Sequence, residues 1–318
     1  MPDVDENQTM NDKTIDPMES RDEAYTGILS FLRLPYSRNL SEADIAVLGV
    51  PYDLGTTNRP GARFGPRAIR EMSSLVGEFQ WGVWPWDYDV RARRCIVDYG
   101  DVCEFTAYPE RLISKLEEKA DEILGAGTAL LALGGDHFIS LPLLRAHVRK
   151  HGPLALIHFD AHSDTWRDED FNHGTMFYHA IQDGLIDVEH SIQVGIRTPN
   201  PDSFGLEIID AMQLENMANS EVVARINERV GACKAYLTFD IDFLDPAFAP
   251  GTGTPVAGGA SVTQAREILL GLKGLKIVGG DQVEVAPAYD PLGSITALAG
   301  ATIAADILYL ISEALDNS

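Results

Sequence analysis

The sequence predicts an α/β protein: a mostly parallel central sheet covered by helices on both faces. Three observations carry this. Seven short apolar runs alternate with seven helical patterns. The runs are apolar throughout instead of at every second position, as expected of strands buried on both faces. After residue 24 no linker, repeat or low-complexity tract interrupts the chain, so residues 25–318 read as one domain of a size a single core can support.

The elements follow in order. The strands are Ile45–Val50, Cys95–Tyr99, Thr128–Leu133, Leu154–Phe159, Ser191–Ile196, Ala235–Phe239 and Leu275–Val285. The helical patterns lie at Pro66–Leu75, Pro109–Leu124, Ser140–Lys150, Met176–Asp183, Ser220–Val230, Ser261–Leu272 and Ile295–Ala314. Pro66 suits a first helical turn, and Ser140, Ser220 and Ser261 read as N-caps. The long apolar stretch Ile295–Leu315 carries Asp306, Glu313 and many small residues, so it reads as a buried helix, not a membrane span. Residues 1–24 hold eight acids and two bases with little apolar periodicity, the pattern of a flexible tail.

Lys plus Arg number 25 and Asp plus Glu 48, so the formal net charge is 25 − 48 = −23. That sign argues against nucleic acid and against an anionic membrane surface, and it disfavours phosphate esters as substrates. It suits a cationic small molecule, although most of it reads as solvated surface. Cys95, Cys103 and Cys233 form no CxxC pair, which leaves neither a disulfide framework nor a zinc knuckle. The acidic N-terminus is unlike a signal peptide, and the expected location is cytoplasmic.

In open parallel sheets, function gathers just past the C-terminal ends of strands. Those loops read GGDH (134–137), DAHSD (160–164), GIRT (195–198), DIDFLDP (240–246) and VEVAP (283–287). All eight histidines fall between His137 and His190. Asp160, His162 and Asp164 sit two residues apart, as do Asp240 and Asp242, so their side chains can converge. With His137 they make two histidines and four aspartates. Four carboxylates packed together need cations, and two divalent ions would balance them. An oxygen-rich set with two imidazoles suits Mn²⁺, while Zn²⁺, Fe²⁺, Co²⁺ and Ni²⁺ remain compatible.

His173 is placed as a proton shuttle near such a centre. Glu284, in an apolar run, needs a cationic partner, either a substrate guanidinium or a structural Arg. His158 reads as a core or supporting histidine facing away from the ligands, and His147, His151 and His190 as surface groups. The Gly-rich stretch 251–259 reads as a shaped loop near the site. Trp81, Trp84 and Trp86 read as a core or subunit contact.

At these motifs the chain resembles the ureohydrolase family, which includes arginases and agmatinases. GGDH, DAHSD and TFDIDFLDPAFAPGTGTP (238–255) match its signature regions, and the resemblance spans roughly residues 28–312, with PGARFGP (60–66), NHGTMFY (172–178) and VEVAPAYD (283–290). It implies a three-layer α/β/α sandwich of the arginase type. It implies two Mn²⁺ per subunit on His137, Asp160, His162, Asp164, Asp240 and Asp242. His173 would shuttle protons, Asp164 would pass one to the leaving amine, and Glu284 would bind the guanidinium. The implied reaction is hydrolysis of agmatine to putrescine and urea; the alternative is 4-guanidinobutyrate or a related guanidino acid. Homo-oligomers, hexamers among agmatinases, are implied as well. The acidic loop 165–172 suits a decarboxylated substrate, except that Arg167 could hold a carboxylate or pair with Asp168 or Asp170.

Overall fold

The computed structural model describes residues 23–78, 82–102 and 108–316. Most of the expected tail, together with Trp81 and Cys103, lies outside the described residues. The strands are β1 (Ile45–Val50), β2 (Ile96–Asp101), β3 (Ala129–Gly134), β4 (Ala155–Phe159), β5 (Ile192–Ile196), β6 (Glu207–Asp210), β7 (Lys234–Asp240) and β8 (Lys276–Val283). They form one all-parallel sheet in the order β2-β1-β3-β8-β7-β4-β5-β6. The helices are α1 (Gly65–Val76), α2 (Val90–Arg93), α3 (Pro109–Gly125), α4 (Ser140–His151), α5 (Met176–Gln182), α6 (Ala211–Asn216), α7 (Asn219–Val230), α8 (Val262–Leu270) and α9 (Ile295–Leu315).

Alternate strand residues feed two cores. Ile45, Val47, Leu131, Leu133, Ile157 and Phe159 pack with Ile69 of α1, Ile226 of α7, Ile268 of α8 and Ile303 of α9. Ala46, Leu48, Leu130, Ala132 and Leu156 pack with Leu116 of α3, Leu144 of α4 and Phe177 of α5. Helices on both faces make the three layers that the pattern predicts.

The apolar helix α9 is a core element: 83% of its most apolar window is buried. Its one deeply buried acid, Asp306, accepts from Trp86 Nε1 at 2.8 Å and from Arg266 Nε at 2.7 Å. Trp86 stacks on Tyr309 at 4.7 Å, whereas Trp84 is 75% exposed, so the expected tryptophan cluster divides between core and surface.

Four expectations need correction. Edge strand β6 and the short helices α2 and α6 lack an apolar signature, because Glu207–Asp210 is mostly part-buried and polar at its ends. The last strand stops at Val283, leaving Glu284 beyond it. Of the three expected serine N-caps only Ser261 caps, accepting from Gln264 N; Ser140 and Ser220 lie inside their helices. His147 is fully buried: Nδ1–H donates to Leu143 O at 2.7 Å, and the ring meets Tyr236 edge-on at 4.9 Å. Gly279 makes room for it, since a Cβ there would lie 2.2 Å from His147 Nε2. His151 and His190 are partly exposed, close to expectation.

Candidate metal centre

The four central strands, β3, β8, β7 and β4, deliver the site at their C-terminal ends. Register pairs Phe159 with Phe239 and Phe239 with Gln282. Asp160, Asp240 and Glu284 therefore leave the sheet at nearly one level. His137 arrives from the turn after β3, and His173 from the segment between β4 and α5.

All eight expected site residues come together. His137 Nδ1 lies 3.0 Å from both Asp160 Oδ2 and Asp164 Oδ2, and 3.3 Å from Asp240 Oδ2. His162 Nδ1 lies 3.1 Å from Asp242 Oδ2 and 3.3 Å from Asp160 Oδ1. Asp160 thus contributes one oxygen to each of two groups. Loop backbone fastens the carboxylates: Asp160 Oδ1 accepts from His162 N, Asp240 Oδ1 from Asp242 N and Asp242 Oδ1 from Ala161 N. Arg197 clamps the same loops by donating to the carbonyls of Asp242, Gly195 and Val256.

The donor set fits divalent cations. The four aspartates are at most 5% exposed. Burial first, then neighbouring carboxylates, raises the Asp240 and Asp242 carboxyls, and burial and Asp160 raise that of Asp164. Burial would raise Asp160 too, but His158, His137 and His162 outweigh it and hold it well below the usual carboxylate range. Carboxyls pushed up by burial and by one another mark a pocket short of positive charge. His137 Nδ1, although surrounded by oxygens, makes no well-directed hydrogen bond. One N–H cannot point at three acceptors. Donors about 2.1 Å from one ion at right angles stand about 3.0 Å apart, as these do.

The second half of the site is Glu284, fully buried. Its Oε1 accepts from His173 Nδ1–H at 2.8 Å and from His137 N at 2.9 Å, while the buried Oε2 has no partner. Among the described residues no Arg pairs with it, so the structural-arginine alternative falls. A Cβ at Gly253 would stand 3.5 Å from Oε2, which places the Gly-rich loop beside the site as expected. Burial alone would depress His173, but the Glu284 charge outweighs it and holds the imidazole up at about 9. Its Nε2 lies 2.7 Å from the hydroxyl of exposed Thr57. Asp164 and Glu284 both hold left-handed backbone, at φ 52° and 67°.

Two readings change. His158 does not face away from the ligands: Nδ1 accepts from Gln193 Nε2 at 2.9 Å, and Nε2–H donates to Asp160 Oδ2 at 2.8 Å. The two-residue spacing already put both side chains on one side of β4. Arg167 pairs with neither Asp168 nor Asp170: it reaches Asp202 at 2.7 Å and lies over the Phe204 ring. Thr57 and Gln193 escaped sequence reading because their partners are far away in the chain.

A parallel sheet with two buried groups of carboxylates and imidazoles at its central strand ends defines a metal-binding class of scaffold. The chain belongs to the arginase family, whose sequence model matches residues 43–309. It is 48% identical over 295 residues to an agmatinase of Proteus mirabilis, covering 92% of this chain and 96% of that one. A crystal structure of a hypothetical agmatinase from Burkholderia thailandensis is 49% identical, with TM-score 0.89 over 92% of this chain and 93% of that one. Proclavaminate amidino hydrolase from Streptomyces clavuligerus is 38% identical, with TM-score 0.86 over 92% of this chain and 100% of its own.

Proposed function

We propose that this chain hydrolyses agmatine to putrescine and urea. The observation that carries the reading is the buried Glu284 carboxylate, with Oε1 fixed and Oε2 unpartnered beside an acidic, metal-type cluster. A guanidinium presents parallel N–H donors that a carboxylate matches. The relatedness to agmatinases supports the choice of substrate.

His137, Asp160, Asp164 and Asp240 would hold one divalent ion, and Asp160, His162 and Asp242 a second, manganese being the family's metal. When bound, such ions activate water and stabilise developing negative charge. Glu284 orients the guanidinium carbon toward the cluster, which supplies proximity. Asp164 stands within the cluster to pass a proton to the departing amine. His173, against Glu284 and the exposed Thr57 hydroxyl, moves protons between site and solvent. His158 keeps the Asp160 carboxylate aimed.

The test is urea and putrescine formation by Mn²⁺-loaded protein given agmatine. No urea from agmatine, with turnover of 4-guanidinobutyrate or arginine, overturns the substrate assignment. The likeness to proclavaminate amidino hydrolase favours a guanidino acid as second reading, but Arg167, the cation such a substrate would want, is engaged with Asp202.

Self-association in the cytoplasm completes the proposal. Trp84, Phe248 and Ile295 are exposed and line an apolar cavity of about 390 Å³. Light scattering tests it, and a monomer at micromolar concentration would contradict it.

A further inference from the structure

Asp281, on β8, is fully buried, and among the described residues no Lys or Arg pairs with it. Its partners are three hydroxyls. Tyr236 donates to Oδ2 at 2.8 Å, Ser140 donates to Oδ2 at 2.7 Å, and Thr238 donates to Oδ1. An ionised carboxylate only accepts, and a hydroxyl has one proton to give. Thr238 Oγ1 also lies 2.8 Å from His137 Nε2. With its proton directed at Asp281, that oxygen can only accept from the imidazole. Nε2 therefore carries the ring proton, and Nδ1, the nitrogen facing Asp160, Asp164 and Asp240, presents a lone pair. The reverse order, with a protonated Asp281 donating to Thr238 and Thr238 donating to Nε2, would put the proton on Nδ1 and close that lone pair.

We propose that Asp281, acting through the Thr238 hydroxyl, is a positioning residue that holds His137 in the metal-ligating tautomer and so sets the affinity of the ion on the His137 side of the cluster. The inference rests on the metal reading given above. Three hydroxyl donors converge on the two Asp281 oxygens, the arrangement an accepting carboxylate requires. Burial and the Asp281 charge push the Tyr236 phenol well above its ordinary pKa, so it remains a donor. Carboxylates commonly orient metal-binding imidazoles directly; here one hydroxyl stands between and passes the orientation on. His162 is hydrogen-bonded to neither Asp281 nor Thr238, so the effect falls first on the His137 side of the cluster.

The experiment is calorimetric titration of metal-free full-length protein with Mn²⁺, with chelator competition, for wild type, Thr238→Val, Thr238→Ser and Asp281→Asn. Wild type should take up two ions. Thr238→Val and Asp281→Asn should weaken one of them about 10- to 100-fold and leave the other within about twofold, and Thr238→Ser should restore both. If Asp281→Asn does not fold, the Val–Ser pair at position 238 decides by the same criterion. Wild-type affinity for both ions in Thr238→Val overturns the proposal. So does equal weakening of both ions with a lowered melting temperature of the metal-free protein, which would mark a merely structural role. A wild-type protein that takes up no divalent ion removes the metal reading itself, and this inference with it.

Discussion

His158 and Asp160 lie two residues apart on one side of β4 and its end, joined by a 2.8 Å hydrogen bond from Nε2 to Oδ2. The other ring nitrogen accepts from Gln193, so the proton is held on the side of the carboxylate. Replacing His158 by Ala leaves Asp160 free to rotate. Mn²⁺ affinity should fall about 10- to 100-fold, read by chelator competition. An unchanged affinity would remove His158 from the metal centre.

Asp160→Asn removes the one carboxylate shared by both groups. Metal content and urea release should both drop, activity by about 1,000-fold or more, while circular dichroism stays native. Full activity would mean that the ligand assignment is wrong.

Glu284→Gln keeps the shape and removes the charge facing the guanidinium. Charge-assisted pairing at a buried carboxylate is worth about 3 kcal/mol, so kcat/KM for agmatine should fall about 100-fold, with bound metal retained. Loss of metal in this variant would instead place Glu284 among the ligands.

Asp306→Ala strips a buried acid from Arg266 and Trp86. Leaving a partly buried Arg uncompensated costs about 3–5 kcal/mol, measurable by urea unfolding. Asp306 touches none of the candidate site residues, so metal stoichiometry should hold.

Burial depresses the His147 imidazole from 6.5 to about 4. Between those values the unfolded chain binds a proton that the folded one refuses, so stability rises with pH across the window. It is fully present above pH 6.5 and is lost as pH falls toward 4, by about 3 kcal/mol from this group. Comparing unfolding of wild type and His147→Gln at pH 7 and pH 4.5 checks it. The variant should lose less stability on acidification.

The metal-type cluster was legible in the sequence because its residues come in pairs two apart at the ends of apolar runs, a spacing that geometry turns into convergence. The same spacing places His158 beside Asp160. What stayed hidden depends on contacts far apart in the chain. Thr57 meets His173 across 116 residues and Asp281 meets Ser140 across 141. Arg167 passes over the three acids that follow it, Asp168, Glu169 and Asp170, for Asp202, 35 residues away. His147 looked like a surface residue because its helix gives no sign that a glycine in β8 has cleared room for its ring. Strand β6 was missed because an edge strand with Glu207 and Asp210 at its ends carries little hydrophobic signal.

Asp164 and Glu284 both hold left-handed backbone, which glycine adopts more readily; for Glu284 it costs about 1–2 kcal/mol. Heat resistance and turnover thus pull these positions in opposite directions. Variants selected only for surviving high temperature should drift toward Gly or Asn at 284, and less strongly toward Gly at 164, and emerge sturdier but inert. A screen that also demands urea release should keep both acids and find its stabilising changes elsewhere in the sheet and helices.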